Sequence, residues 1–344
     1  MGAQRQPRPV AQARLPGKWL AVAAAFSLGL WLTVELILQP PTHARFPEML
    51  NAARTMQAAS RVLRAEKEAR GLMAPPEADP NRTGMIGQEY TIITTTTGDL
   101  ESKRTATNPD FAAALVRLVA SLGLPRGTPV VIVLSGSFVG GNVATIAAVE
   151  ALGLRPVIVT SLGASMWGAN DPEFDWLDMA ALLRERGVIR AATVATVLGG
   201  EGAVGGGMDP AAVAALRQSA VRDGVPIVEL RPFPALIDAL LARIDAALAG
   251  EAPGAVVNVG GALIGLGSCR ESFEFPTGLT RRPMSCTAGA PGIAIRLVER
   301  GLPVVHVLNM RRLAVEFGLP IDPVPLPAPG DNNVVYGSSP GGGG

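Results

Sequence analysis

Histidine and lysine are scarce in this chain, and the scarcity narrows its chemistry. It has two histidines, His43 and His306, and three lysines, Lys18, Lys67 and Lys103. Lys103 is the only lysine in the part of the chain that reads as globular. It ends the polar run Thr94-Thr95-Thr96-Thr97-Gly98-Asp99-Leu100-Glu101-Ser102-Lys103, just past the carboxyl end of the first candidate strand. A desolvated lysine there can act as base to a serine or as a point charge for a carboxylate; a solvated loop charge is the plain alternative. Ser137 is the candidate nucleophile, because it lies at a strand-to-helix turn. Its surroundings, Ser135-Gly136-Ser137-Phe138-Val139-Gly140, lack the GxSxG spacing of a nucleophile elbow. His43 abuts an apolar segment, so a Ser-His-acid triad would need His306, which falls inside a predicted buried strand and reads equally as a satisfied core histidine. The catalytic candidates are therefore Ser137 with Lys103 or His306.

Glycines and hydroxyls collect where candidate strands end. Residues 135–142 follow one strand; 161–165 lead on to Trp167-Gly168-Ala169-Asn170; 199–202 run to Gly205-Gly206-Gly207; and 260–261 run to Gly265-Leu266-Gly267-Ser268-Cys269. Glycine lets backbone N–H groups converge on a guest, and a following helix N-terminus adds partial positive charge, so a carboxylate or phosphate suits such a rim. The candidate binding residues are Thr97, Ser102, Arg104, Ser135, Gly136, Gly140, Asn142, Ser165, Asn170, Gly200, Glu201, Gly261 and Arg270. Each loop taken alone is also what tight strand-helix packing requires. No Gly-Lys-Ser/Thr and no spaced GxGxxG follows the first strand, which argues against nucleotide binding. No cysteine or histidine spacing suits a metal, and no cofactor is expected.

These loops need a scaffold, and the chain supplies one by alternation. Short β-branched runs at 89–96, 129–134, 156–160, 192–198, 226–229, 255–259 and 303–308 read as strands. Asn108-Pro109, Asp171-Pro172 and Asp209-Pro210 each put a side-chain acceptor at an N-cap and proline at the first helical position, and the runs they open end at Gly123, Gly187 and Gly224. A fourth helix spans 142–153. Continuous Val/Ile strands joined by crossover helices predict a doubly wound, mostly parallel α/β sheet, with the Gly-rich loops at its carboxyl edge, where such folds bind ligands.

Residues 19–38 are almost purely apolar and follow Arg5, Arg8, Arg14 and Lys18 with no acidic residue before them. At about 1.5 Å per residue they would span roughly 30 Å, enough for one membrane-crossing helix. The basic side stays in the cytoplasm, which sends the rest of the chain outside. A cleaved signal peptide, with Thr42-His43-Ala44 as a poor processing site, is the rival reading. Glu35 is costly at mid-bilayer and much less so near an end, where it can snorkel or meet a partner helix. The organisation expected is a cytoplasmic tail (1–18), a transmembrane helix (19–38), a stalk helix (46–70), a linker at 75–84, an extracytoplasmic α/β domain (85–320) and a disordered Pro/Gly tail (322–344). The net charge of +1 over 344 residues leaves no basic stripe for nucleic acid. Cys269 and Cys286 either pair across seventeen positions or stay free and buried.

Met85-Ile86-Gly87-Gln88-Glu89-Tyr90, residues 94–104, Asn108-Pro109-Asp110-Phe111, Ser135-Gly136-Ser137-Phe138, Ser161-Leu162-Gly163-Ala164-Ser165, Trp167-Gly168-Ala169-Asn170 and Trp176-Leu177-Asp178-Met179 together resemble the poly-gamma-glutamate system proteins. The resemblance runs from about the apolar segment to about Pro320. It implies a membrane-anchored protein acting in synthesis, export or attachment of γ-linked polyglutamate beside the membrane subunits of the synthase, and it carries no catalytic residues over. Two functions follow. One is an accessory protein that holds the emerging polyanion through helix N-termini, arginines and Lys103. The other is an extracytoplasmic serine amidohydrolase or transpeptidase that cuts or transfers the chain.

Overall fold

The Val/Ile-rich runs build the centre of a six-stranded sheet because a run apolar on both faces can be covered only from both sides. The computed structural model describes residues 17–37, 42–282 and 284–337. The sheet's strands are β1 (Pro129–Ser135), β2 (Arg155–Ser161), β3 (Thr193–Val197), β4 (Ala255–Val259), β5 (Gly278–Thr280) and β6 (Val304–Val307). Their spatial order is β3-β2-β1-β4-β6-β5. All neighbours are parallel except β5 against β6.

The helices are α1 (Gly17–Ile37), α2 (Phe46–Arg70), α3 (Leu100–Thr105), α4 (Asp110–Ala120), α5 (Val139–Ala151), α6 (Trp176–Glu185), α7 (Pro210–Arg222), α8 (Phe233–Leu248), α9 (Leu263–Leu266), α10 (Ile293–Glu299), α11 (Met310–Glu316) and α12 (Asn333–Tyr336). Strand side chains alternate between two cores. Val130, Ile132 and Leu134 join α2, α4, α5, α6, α11 and α12 on one side. Val131 and Val133 join α8, α9 and α10 on the other. α7 closes a smaller cluster with Ile93, Leu162 and Leu198.

Several expectations change in the folded chain. Of residues 89–96 only Thr94–Thr96 is a strand, and it pairs with Ala164–Ser165 outside the main sheet. Residues 226–229 give one parallel bridge, Thr196–Ile227, at the edge of β3. Asp171 does not cap a helix. It sits in a hairpin of Asn170–Asp171 against Phe174–Asp175, and α6 starts instead at the capping box of Asp175 and Asp178. By contrast Asp209 accepts from the Ala211 amide as a cap should, and Gly123, Gly187 and Gly224 take the left-handed conformation after their helices.

α2 has the bounds that its periodicity predicts, yet it is no stalk. Met49, Ala52, Ala53, Met56, Ala59, Leu63 and Lys67 are buried in the main core. Ser60 Oγ donates to the Thr83 carbonyl at 2.9 Å, which ties the 75–84 segment to the helix, and the Lys67 ammonium donates to the Ile86 carbonyl just beyond it at 3.0 Å. The tail is not loose over its described part either. Asp322 pairs with Arg104, the Tyr336 hydroxyl donates to Asp110 at 2.6 Å, and the His43 amide donates to the Tyr336 carbonyl at 2.7 Å. Residues 338–344 lie outside the described residues.

α1 forms a separate unit from residues 43–337. It covers most of the expected span, with Trp19, Phe26 and Trp31 exposed; Leu38 and the arginines at 5, 8 and 14 lie outside the described residues. Among the described residues no helix is long and apolar enough to cross a membrane.

Candidate functional site

From β1 the chain winds outward to β2 and β3, and from β4 it winds the other way to β6, so the strand order reverses between β1 and β4. Loops leaving those strands diverge and open a crevice at the carboxyl edge. A cavity of about 370 Å³ lies there. Its walls come from all four Gly-rich loops and from residues 95–99: Ser135, Ser137 and Phe138 after β1; Ser161, Gly163 and Ser165 after β2; Gly199, Gly200 and Ala203 after β3; and Gly261, Ala262 and Leu263 after β4. Lys103 and Asp99 are its only charged lining side chains among the described residues. Seven hydroxyl-bearing residues line it: Thr95, Thr96, Thr97, Ser135, Ser137, Ser161 and Ser165.

Lys103 is 4% exposed. It projects from α3, six residues capped by Asp99, whose carboxylate accepts from the Ser102 amide at 2.7 Å. A helix this short does not hold itself. It is fixed from outside by Arg104 on Asp322 and the Glu77 carbonyl, by the Asp322 amide on Thr105 Oγ1 at 3.0 Å, and by Arg311 on Glu101. Gly98 makes room, since a Cβ there would collide with the Met166 carbonyl and crowd the lysine stem. The Lys103 ammonium donates to the Ser137 carbonyl and to Ser165 Oγ, the latter at 2.8 Å, and stands 5.1 Å above the Phe138 ring. Burial brings its pKa down to about 7, with the Asp99 carboxylate partly opposing the shift.

The serines form a chain behind it. The Ser137 amide donates to Ser135 Oγ at 3.1 Å, and the Ser165 amide donates to Ser137 Oγ at 2.9 Å. Asn142 is fully buried beneath this turn, giving its amide to the Ser135 carbonyl at 2.8 Å. Gly136 lets the turn pass over the Leu162 carbonyl, and Gly140 lets α5 approach Ala106.

Other candidates lie elsewhere. Asn170 is a structural clamp: it exchanges hydrogen bonds with both backbone groups of Gln88 and donates to Thr94 Oγ1. Ser102 and Arg104 belong to the support of α3, and Arg270 is exposed on the 3-10 turn Arg270–Glu274, outside the cavity wall. Glu201 lines a neighbouring cavity of about 380 Å³ with Tyr90, Ile92, Met208 and Asp209; the two cavities share Thr95 and Gly200. Cys269, in the connection after β4, and Cys286, past β5, form a disulfide.

His306 is not a base for this site. It lies mid-strand in β6 at 1% exposure, accepts from Asn258 Nδ2 at 3.0 Å and meets the Phe275 ring edge-on at 5.5 Å. Burial lowers its pKa to about 4. Between pH 4 and 6.5 the unfolded chain binds a proton there that the folded chain refuses, so stability is complete above 6.5 and declines as pH falls toward 4. The shift corresponds to about 3 kcal/mol. Urea midpoints of wild type and His306→Gln, compared at pH 7 and pH 4, should show the wild type losing more; parallel losses would contradict the buried neutral ring.

The pairing of Lys103 with Ser165 is what reasoning from sequence missed. Its only trace there is a lone lysine after one strand and a serine after another. Comparison of the chain with protein-family models, with curated proteins and with solved structures finds no match in any of the three.

Proposed function

We propose that this chain is a membrane-anchored, extracytoplasmic component of a poly-gamma-glutamate system, and that it acts on γ-glutamyl amide bonds as a serine amidohydrolase or acyltransferase. One observation carries the covalent reading over passive polymer binding: among the described residues the cavity's single basic side chain is a buried lysine in contact with serine groups, with a pKa of about 7. A site built to hold a polyanion needs cations that stay charged. Arg104 is spent on Asp322, Arg270 stands outside the wall, and no arginine lines the cavity among the described residues. A small hydroxyl-lined pocket at a topological switch point fits one or two units of a chain rather than a polymer face.

The compartment is part of the same proposal. Residues 19–38 are taken as the anchor, the basic residues before them as the cytoplasmic side, and the membrane subunits of the synthase as partners. The Cys269–Cys286 disulfide agrees with an oxidising exterior.

Incubating the detergent-solubilised full chain with γ-linked polyglutamate and following polymer length by gel filtration tests the reading. Progressive shortening, or a shift of chain ends onto an added amine, is the expected result. Intact polymer with saturable, salt-sensitive binding would reinstate the accessory-protein reading.

A further inference from the structure

We infer that Ser165 is the nucleophile of this site and Lys103 its general base, with Ser137 a positioning residue that holds the Ser165 backbone. The assignment rests on the serine acyl-transfer reading above. Three features of the geometry lead to it. Among the described residues Ser165 Oγ is the only hydroxyl to which Lys103 hydrogen-bonds, at 2.8 Å, whereas the lysine meets Ser137 through its main-chain carbonyl. Ser137 Oγ is engaged as acceptor from the Ser165 amide at 2.9 Å. Ser165 also sits in a paired segment, Ala164–Ser165 against Thr94–Thr96, so its position is set by backbone hydrogen bonds at the cavity wall.

The same contacts orient the base. A neutral lysine has two N–H groups and one lone pair. With one N–H held by the Ser137 carbonyl and the nitrogen standing over the Phe138 ring, the lone pair is available to the Ser165 hydroxyl. Burial supplies the neutral amine near pH 7, as serine-lysine arrangements require.

The chemistry balances. Lys103 Nζ takes the Ser165 hydroxyl proton as Oγ bonds to the substrate carbonyl carbon. The tetrahedral adduct collapses, the C–N bond breaks, and the departing amine leaves with the proton from Lys103. Water, or a second amine in the transferase case, then loses a proton to Lys103 while attacking the Ser165 ester. Breaking that ester returns the proton to Ser165 Oγ and releases acid or new amide.

Labelling of the detergent-solubilised full chain with a fluorophosphonate, followed by peptide mapping, separates this assignment from the substrate reading. The expected result is one adduct, on Ser165, absent in Ser165→Ala and slowed about 10²–10⁴-fold in Lys103→Met. Ser137→Ala should still label at Ser165, more slowly and with its half-rise near pH 7 retained. Ser165→Cys guards against misfolding, since a thiol there should react with iodoacetamide faster than the same thiol in a Lys103→Met background. An adduct on Ser137, or labelling indifferent to Ser165→Ala, would overturn the assignment. Ser165 labelling with polymer left intact upholds the pair and rejects γ-glutamyl amide as substrate; polymer shortening with the adduct elsewhere does the reverse.

Discussion

Replacing Lys103 by methionine will remove turnover by about 10²–10⁴-fold, the usual worth of a positioned general base, while leaving the chain folded. Methionine matches the buried stem in length and volume, so the space beside Gly98 stays filled, while the contact of the amine with the Phe138 ring is lost. What disappears is the amine that touches Ser165. The wild-type rate should rise as pH passes 7, where Lys103 loses its proton, and the residual rate of the variant should lack that rise. Stability gives an independent check with the opposite dependence on function. Between pH 7 and 10.5 the unfolded chain keeps a proton on Lys103 that the folded chain has released, so wild-type stability increases with pH through this window. Lys67, lowered to about 8 by burial, adds a similar slope to both proteins. The difference between wild type and Lys103→Met in urea midpoint against pH therefore isolates Lys103. An unchanged slope, or turnover unaffected by the substitution, would mean that the lysine neither is desolvated nor serves as base.

A chain beginning at Leu72 will not fold cooperatively, whereas one spanning 43–337 will. The reason is α2, whose inner face buries Met49, Met56 and Leu63 completely against α4 and α5. Fully burying such a side chain contributes about 1.5–3 kcal/mol each, so these three alone approach the whole stability of about 5–15 kcal/mol typical of a domain. Deleting α2 would also strip α5 of the helix packed on it and would leave Asp79 without the Lys67 ammonium that faces it. Thermal unfolding followed by circular dichroism decides the matter. A sharp transition for the shorter chain at the midpoint of the longer one would show that α2 is dispensable.

The sheet was legible because its strands carry the signal internally. Val130 to Leu134 is apolar on both faces, and Ala255 to Val259 is so but for Asn258, and a sheet covered on both sides suits such runs. β5 was missed because Gly278-Leu279-Thr280 is too short to show a period. Asp171-Pro172 and Asp209-Pro210 look alike in sequence, but only the second opens a helix. In the first, Asp171 closes a local turn by accepting from Glu173 at 2.9 Å, a competition that the dipeptide alone does not resolve. α2 was legible as a helix and illegible as core, since alanine buries deeply without looking hydrophobic. The Pro/Gly-rich end read as loose because composition does not register single long-range ties such as Asp322 to Arg104 or Tyr336 to Asp110. At the site, the rule for strand ends picked out the four loops that line the cavity, and Lys103 with them. Which serine meets the lysine depends on the short pairing of Thr94–Thr96 with Ala164–Ser165, a contact 70 residues apart in register, and no local pattern encodes it.

The hydrogen bond from His43 to Tyr336 makes the folded body a nearly closed ring of chain. Its two ends meet, so a short bridge could join them and a new break could be opened in a surface turn without disturbing the sheet. By the same logic the whole body can be carried as a cassette, spliced into a loop of another protein through a single pair of adjacent junctions.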